Sequence, residues 1–282
     1  MTQTTNHAPN ASPPMLKRFV QAKKEEVAEL EQSYAPNGPP TPCSQRSPGL
    51  AHALREAEPG AVIAEYKPAS PSRGPIAPDL SPEQAGELFV QGGAAAISVL
   101  TDRTFFGSSP RALFALAGTG LPLLRKDFII HPAQVAETAA TPAAAFLLIA
   151  RLFARDREGM YAVYRAGINA GLEPVVEVFD TRDVAAAKEL GAQRILVNSR
   201  DLDTLHLDLN VHRKLIQDRE KGELWICASG LSTRSQIQNM AELGYAACLI
   251  GTSIMDSPDR LAALQALTTG HGLSPTHSED AS

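Results

Sequence analysis

Three cysteines are all that the 282 residues contain, and Cys43, Cys227 and Cys248 stand at spacings that fit neither a disulfide framework nor a metal motif. No long apolar run is present. The longest, Thr141 to Leu152, ends beside Arg151 and Arg155 and falls short of the roughly 20 residues that a membrane span needs. The opening stretch MTQTTNHAPNASPP lacks the basic start and apolar core of a signal peptide. A cytoplasmic, reducing location is expected, with no membrane partner. Positive charge is in deficit: 26 Lys and Arg against 31 Asp and Glu, a net of −5, with no extended basic run. That balance argues against a nucleic-acid partner. Composition is otherwise that of a globular protein, 44% hydrophobic and 20% charged, which excludes disordered and fibrous classes.

What is present is an alternation. Polar tails are expected over 1–13 and 269–282, with one domain between them over 14–268. Residues 15–34 read as a charged amphipathic helix, with Leu16, Phe19, Val20, Val27 and Leu30 near helical spacing. A Pro-rich connector, APNGPPTPCSQRSPG, follows over 35–49. From Ala61 onward eight short apolar runs alternate with helix-like segments such as SPEQAGELFVQGG and STRSQIQNMAELGY, which carry capping residues in front and Gly behind. The runs are AVIAEYK (61–67), AAISVLT (95–101), PLLRKDF (122–128), AFLLIAR (145–151), PVVEVF (174–179), RILVNSR (194–200), LWICASG (224–230) and ACLIGTS (247–253). Continuous apolar strands between helices imply a parallel sheet covered on both faces. Eight units point to a closed (β/α)8 barrel, the TIM-barrel class, with an extra N-terminal helix. A count of seven would instead admit an open, doubly wound sheet.

In such a barrel the active site lies at the C-terminal ends of the strands. Ionisable residues collect there: Glu65 and Lys67 on the first strand, Lys126 and Asp127 on the third, Glu177 on the fifth, Asn198 and Arg200 on the sixth. Side chains alternate along a strand, so Glu65 shares a face with Lys67, and Asn198 with Arg200. A charge inside an apolar strand is costly unless it is paired or used. Glu65 alone could belong to a structural ion pair. Four strands carrying such residues at one end read as a functional cluster. The last two strands end instead in ASGLST and IGTS. Small residues there let backbone N–H groups approach an anion, as in phosphate sites, although the same residues make ordinary turns. Lys67, Lys126 and Arg200 outnumber Glu65 and Glu177, so the mouth carries about one net positive charge on an acidic protein. That suits a phosphorylated small molecule.

The block AEYKPASPSRG (64–74) resembles the first-strand signature of the indole-3-glycerol-phosphate synthase family. The resemblance continues through LTDRTFFGSS (100–109), LLRKDFII (123–130), LLIA (147–150), LEPVVEVFD (172–180), VNSRDL (197–202), SGLST (229–233) and LIGTSIM (249–255), and covers about 15–265. The first and third blocks are specific, whereas SG and GTS loops occur in many phosphate-binding barrels. The resemblance implies a carbon–carbon lyase of tryptophan biosynthesis. Its reaction is the decarboxylating, dehydrating ring closure of 1-(2-carboxyphenylamino)-1-deoxyribulose 5-phosphate. No His, Cys or carboxylate spacing suggests a metal and no cofactor is expected; association with other tryptophan-pathway enzymes is compatible with the resemblance.

By the same resemblance Lys126 is the general acid of ring closure and Glu177 the acid/base partner of later steps. Lys67 contacts the anionic substrate and assists dehydration, and Glu65 holds the two lysines. Asn198 and Arg200 position polar and carboxylate groups, Ser70 belongs to a loop over the site, and Phe106 and Phe128 wall the aromatic ring. Ser229, Gly230, Gly251 and Thr252 take the phosphate. Without the family, Phe106 and Phe128 read as core, Ser70 and Ser72 as turn residues, Trp225 as packing, His131 as a cap, and Asp127 as a loop-orienting group.

Four departures stand out. Ala228 replaces the glutamate that usually precedes Ser-Gly, Phe179 stands at the usual histidine position, Gly107 stands where Asn is common, and ATPAAA replaces a Gly-Ala-Asp turn before the fourth strand. Losing one pre-organised polar contact in a dry site costs on the order of 10²–10³ in rate. Two competing expectations follow: a paralogue that binds a phosphorylated ligand with weak or no turnover, and a phosphosugar isomerase on the same fold.

Overall fold

A computed structural model describes residues 15–71 and 73–268. The expected tails over 1–13 and 269–282, and Ser72, lie outside the described residues. The eight apolar runs form eight strands: β1 (Ala61–Tyr66), β2 (Ala96–Leu100), β3 (Leu123–Lys126), β4 (Ala145–Ile149), β5 (Glu173–Val178), β6 (Arg194–Asn198), β7 (Leu224–Ala228) and β8 (Ala247–Ile250). All neighbours pair in parallel, and β1 pairs with both β2 and β8, which closes the barrel. The open-sheet alternative is thereby excluded.

Burial on both strand faces explains why the runs are continuous rather than alternating. One face of each strand packs under the helices, through residues such as Val62, Ile97, Phe146, Val176 and Trp225. The other fills the barrel interior with Ile63, Ala96, Leu124, Leu147, Val175, Leu196 and Ile226. Each Val, Leu, Ile or Phe side chain among them contributes about 1.5–3 kcal/mol when fully buried.

The helices start where the capping chemistry says they should. Ser81 and Gln84 form a capping box at the start of α3 (Pro82–Gln91), as do Thr233 and Gln236 at α10 (Arg234–Leu243). His131 caps α6 (Pro132–Ala139), as the sequence suggests, with Nδ1 accepting the Ala133 N–H at 3.3 Å. Asp180 caps α8 (Thr181–Glu189).

Two helices precede the barrel. α1 (Met15–Tyr34) packs along α6 and reaches the C-terminal mouth. α2 (Leu50–Glu56), absent from the sequence reading, follows the connector; its Leu50 and Leu54 join the interior cluster from the opposite end. The Ala51 N–H donates to Glu173 at 2.9 Å, at the start of β5. Short helices α4 (Arg103–Phe106), α5 (Arg111–Leu116), α9 (Asn210–Leu215) and α11 (Thr252–Met255) sit in the loops, and α7 (Arg157–Asn169) and α12 (Arg260–Thr268) complete the outer ring.

Cys227 and Cys248, whose spacing fits neither a disulfide framework nor a metal motif, are in-register neighbours on β7 and β8. Their sulfurs lie 3.2 Å apart as free, buried thiols. Parallel pairing across a βαβ unit brings together residues that no short-range spacing rule joins.

Candidate active site

The C-terminal mouth opens onto a cavity of about 670 Å³. Its lining contains every site residue named from the sequence: Glu65, Lys67, Ser70, Phe106, Lys126, Phe128, Glu177, Asn198, Arg200, Ser229, Gly230, Gly251 and Thr252. Ala228 lines it as well. Two strand ends are shorter than the runs suggested. β1 stops at Tyr66 and β6 at Asn198, so Lys67 and Arg200 belong to loops, and Arg200 is exposed. Ser70 is buried, pairs in a small two-stranded hairpin (Ala69–Ser70 with Gly74–Pro75) and lines the cavity.

Glu65 sits between the two lysines. Its Oε1 lies 3.5 Å from Lys67 Nζ and its Oε2 3.3 Å from Lys126 Nζ. Burial alone would push this carboxyl up, but the two ammonium groups outweigh it and hold it below the usual carboxylate range. Lys126 shows the reciprocal balance. Desolvation pulls it down, and the charges of Glu65 and Glu177 more than restore it, so it stays protonated.

Glu177 differs. Burial raises it, and the Lys126 charge and the Asn198 hydrogen bond only partly offset that rise. Asn198 Nδ2 donates to Glu177 Oε1 at 3.0 Å, while the buried Oε2 has no hydrogen-bond partner among the described residues. A carboxyl whose pKa burial raises, beside an ammonium whose pKa the neighbouring carboxylates raise, is the arrangement of an acid–base pair.

The small-residue end is built by backbone geometry. Ser229 and Gly230 both have positive φ, 71° and 77°. Ser229 Oγ donates to Asn198 Oδ1 at 2.8 Å, which also accepts the Arg200 N–H at 3.0 Å. Gly251 must lack a side chain, since a Cβ there would fall 2.5 Å from Glu65 Oε1. Lys67 Nζ donates to Thr252 Oγ1 at 2.8 Å. This lysine therefore bridges the carboxylate and the small-residue loop.

Four cations and five carboxylates line the cavity. Asp127 is taken by Lys23 and Arg125, Asp201 by Arg151, and Asp256 by Arg73. Lys67, Lys126 and Arg200 remain against Glu65 and Glu177, the one-unit positive excess read from the sequence.

The apolar wall extends further than expected. Phe106 and Phe128 lie 6.3 Å apart, and Phe19 from α1 stacks on Phe128 at 4.1 Å. Phe19 also meets Phe105 edge-on at 4.6 Å. The only sequence signal for Phe19 was its place on the apolar stripe of α1.

Lys23 gave no signal at all. It is 1% exposed and contacts Glu26, Asp102 and Asp127 at 2.7, 2.9 and 2.8 Å. Burial lowers its pKa and the three carboxylates more than reverse that, so it remains charged. Asp127 also accepts Arg125 Nη2 at 2.9 Å and the Thr101 hydroxyl at 2.6 Å. Asp127 thus orients the loop after β3 through a buried ion network, and its pKa is held far below normal. Trp225 is packing, as expected, with its indole N–H on Glu223.

A family model described as indole-3-glycerol phosphate synthase matches residues 16–267. An indole-3-glycerol phosphate synthase of Desulfosudis oleivorans is 39% identical over 210 residues, 74% of this chain and 79% of that protein. One of Shouchella clausii is 32% identical over 256 residues, covering 89% and 96%. A Streptomyces coelicolor protein named indole-3-glycerol phosphate synthase 2 is 40% identical over 213 residues, covering 74% and 81%. Among solved structures, 3-hexulose-6-phosphate synthase from Salmonella typhimurium matches with a TM-score of 0.58 at 14% identity, covering 74% of this chain and 96% of that one. That likeness concerns the fold alone.

Proposed function

The chain belongs to the indole-3-glycerol phosphate synthase family, and from that premise we propose how its mouth closes the indole ring in tryptophan biosynthesis. The substrate is 1-(2-carboxyphenylamino)-1-deoxyribulose 5-phosphate. Its phosphate lies on Ser229, Gly230, Gly251 and Thr252, with the Lys67 ammonium beside it. Its aromatic ring lies against Phe106, Phe128 and Phe19, and Arg200 takes the ring carboxylate.

Lys126 gives its proton to the ketone oxygen as the ring carbon bearing the carboxylate attacks the ketone carbon. Carbon dioxide then leaves with its bonding pair returned to the ring. The new hydroxyl departs as water, and the double bond forms as a carbon-bound proton is taken up. Glu177 is the group for these later transfers, because its pKa lies above that of an ordinary carboxyl. The observation that carries this reading is the triad Lys67–Glu65–Lys126 at 3.5 and 3.3 Å, facing Glu177 across a walled cavity.

On this reading the protein is a carboxy-lyase, working as one domain over 14–268 in the cytoplasm, and association with other enzymes of the pathway is compatible with it. Among the described residues no helix is long and apolar enough to cross a membrane.

Ala228 favours a second reading, a paralogue that binds the phosphorylated ligand with little turnover. The phosphosugar isomerase alternative has no support of this kind. The test is product fluorescence from the carboxyphenylamino substrate. Turnover establishes the synthase; retained binding without turnover establishes the paralogue.

A further inference from the structure

Arg151 lies just beyond β4 and outside the cavity lining, yet four groups converge on it. Its guanidinium lies 4.4 Å over the Phe179 ring. Nη1 contacts Asp201 Oδ2 at 3.0 Å, and Nη2 contacts Asp180 and Asp183, each at 3.4 Å. Single ion pairs at a surface are worth little. Here one half-buried planar fork meets three carboxylates and an aromatic face, so its direction is over-determined. The ends of β4, β5 and β6 are thereby tied together.

The consequence lies in the loop after β6. Asp201 uses its two carboxylate oxygens differently. Oδ2 takes Arg151, while Oδ1 accepts the N–H groups of Asp203 and Thr204 at 3.0 and 2.8 Å. These bonds shape a tight excursion in which Leu205 adopts φ 58°, a costly conformation for leucine that persists only where its surroundings enforce it. The Leu205 carbonyl accepts Arg200 Nη1 at 3.2 Å, and Arg200 also forms a backbone bridge with Leu207. Arg200, Leu202 and Leu205 all reach the cavity. A line of direct contacts thus runs from Arg151 through Asp201 and Leu205 to Arg200, and no atom of Arg151 reaches the cavity.

We propose that Arg151 is the positioning residue for carboxylate recognition: it fixes the loop that aims Arg200 at the carboxylate on the substrate's aromatic ring. This rests on the assignment of Arg200 above. Arg151 does not act on the reacting atoms.

The test uses the full-length chain and two unreactive ligands. One is the substrate with its ketone reduced to an alcohol; the other is the same molecule without the ring carboxylate. Binding is measured by calorimetry for wild type, Arg151→Met, Arg151→Lys, Asp201→Asn and the double variant R151M/D201N. Arg151→Met is expected to weaken the carboxylated ligand about tenfold, the size of one lost charge-assisted contact, and the other ligand about twofold at most. Asp201→Asn repeats that loss, the double variant adds nothing to it, and Arg151→Lys restores part of it. Equal weakening of both ligands, additive losses, or no discrimination by wild type overturns the proposal. If Arg151→Met fails to fold, the Arg151→Lys and Asp201→Asn pair decides by the same criterion. Wild-type turnover of the true substrate is followed separately. Its absence overturns the ring-closing activity and leaves the binding comparison intact.

Discussion

The Phe19 ring lies 4.1 Å from the Phe128 ring with 19° between their planes, although 109 positions separate them. One belongs to the helix that precedes the barrel and the other to the loop that follows Lys126. The leading helix is therefore part of the site wall.

Phe19→Ala should weaken both fold and binding. The side chain is 3% exposed, so its loss costs about 3–5 kcal/mol of stability. Thermal unfolding should fall accordingly, and KM should rise several-fold while kcat changes less. An unchanged KM in a variant still folded at the assay temperature would remove Phe19 from the ring pocket.

Lys126→Ala should lower kcat by about 10²–10⁴, the usual worth of a general acid. Binding of the ketone-reduced substrate should survive, because the phosphate end does not depend on this side chain. Near-wild-type turnover would transfer the acid role to another group.

Ala228→Glu should raise kcat by about tenfold or more, towards the on-the-order-of 10²–10³ that one pre-organised polar contact supplies. Ala228 lines the same cavity as Lys67 and Lys126, so the new carboxylate enters an occupied electrostatic field. Steady-state fluorescence assays of both proteins give the ratio. A loss of activity would mean that the apolar surface at this position is needed as it stands.

Glu177 holds its proton to higher pH than a free glutamate, chiefly because of burial. The acidic limb of the kcat profile should therefore lie above the ordinary value of about 4.3. Glu177→Gln should remove that limb along with most of the rate. A limb that persists in the variant would belong to another group.

His212 supplies a pH dependence of stability. Its buried ring donates from Nε2 to the Ala228 carbonyl at 3.1 Å, Nδ1 has no partner among the described residues, and burial depresses its pKa. The folded state thus resists a proton that the unfolded chain accepts near pH 6.5. Its full contribution is present above that pH and is lost as pH falls towards the depressed folded value. The stability difference between wild type and His212→Gln, followed by denaturant unfolding from pH 7.5 to 5, should shift against wild type as pH falls. A constant difference would mean that His212 titrates alike in both states.

The barrel was legible because both strand faces are buried, which leaves eight apolar runs with little polar interruption. The same property exposed the site: Glu65, Lys126 and Glu177 break those runs at one end. Lys23 and Arg125 were not legible. A lysine on a charged helix reads as solvated, and its partners Asp102 and Asp127 lie 79 and 104 positions away. Arg151 was hidden for a related reason. Its meaning depends on Phe179 and Asp201, which only the closed sheet brings beside it. Strand burial leaves a trace in local sequence, whereas partnership across loops does not.

The hydrogen bond from Lys67 to Thr252 joins residues 185 positions apart, on the seam where the barrel closes. During synthesis every other pair of neighbouring strands can form as the chain emerges. This pair must wait for β8. Until then β1 and β7 present two unsatisfied parallel edges, the kind that recruit foreign strands. The end of the site read as phosphate-binding is thus also the last to exist, and a ligand that bridges the seam would act as a fastener on a newly made chain.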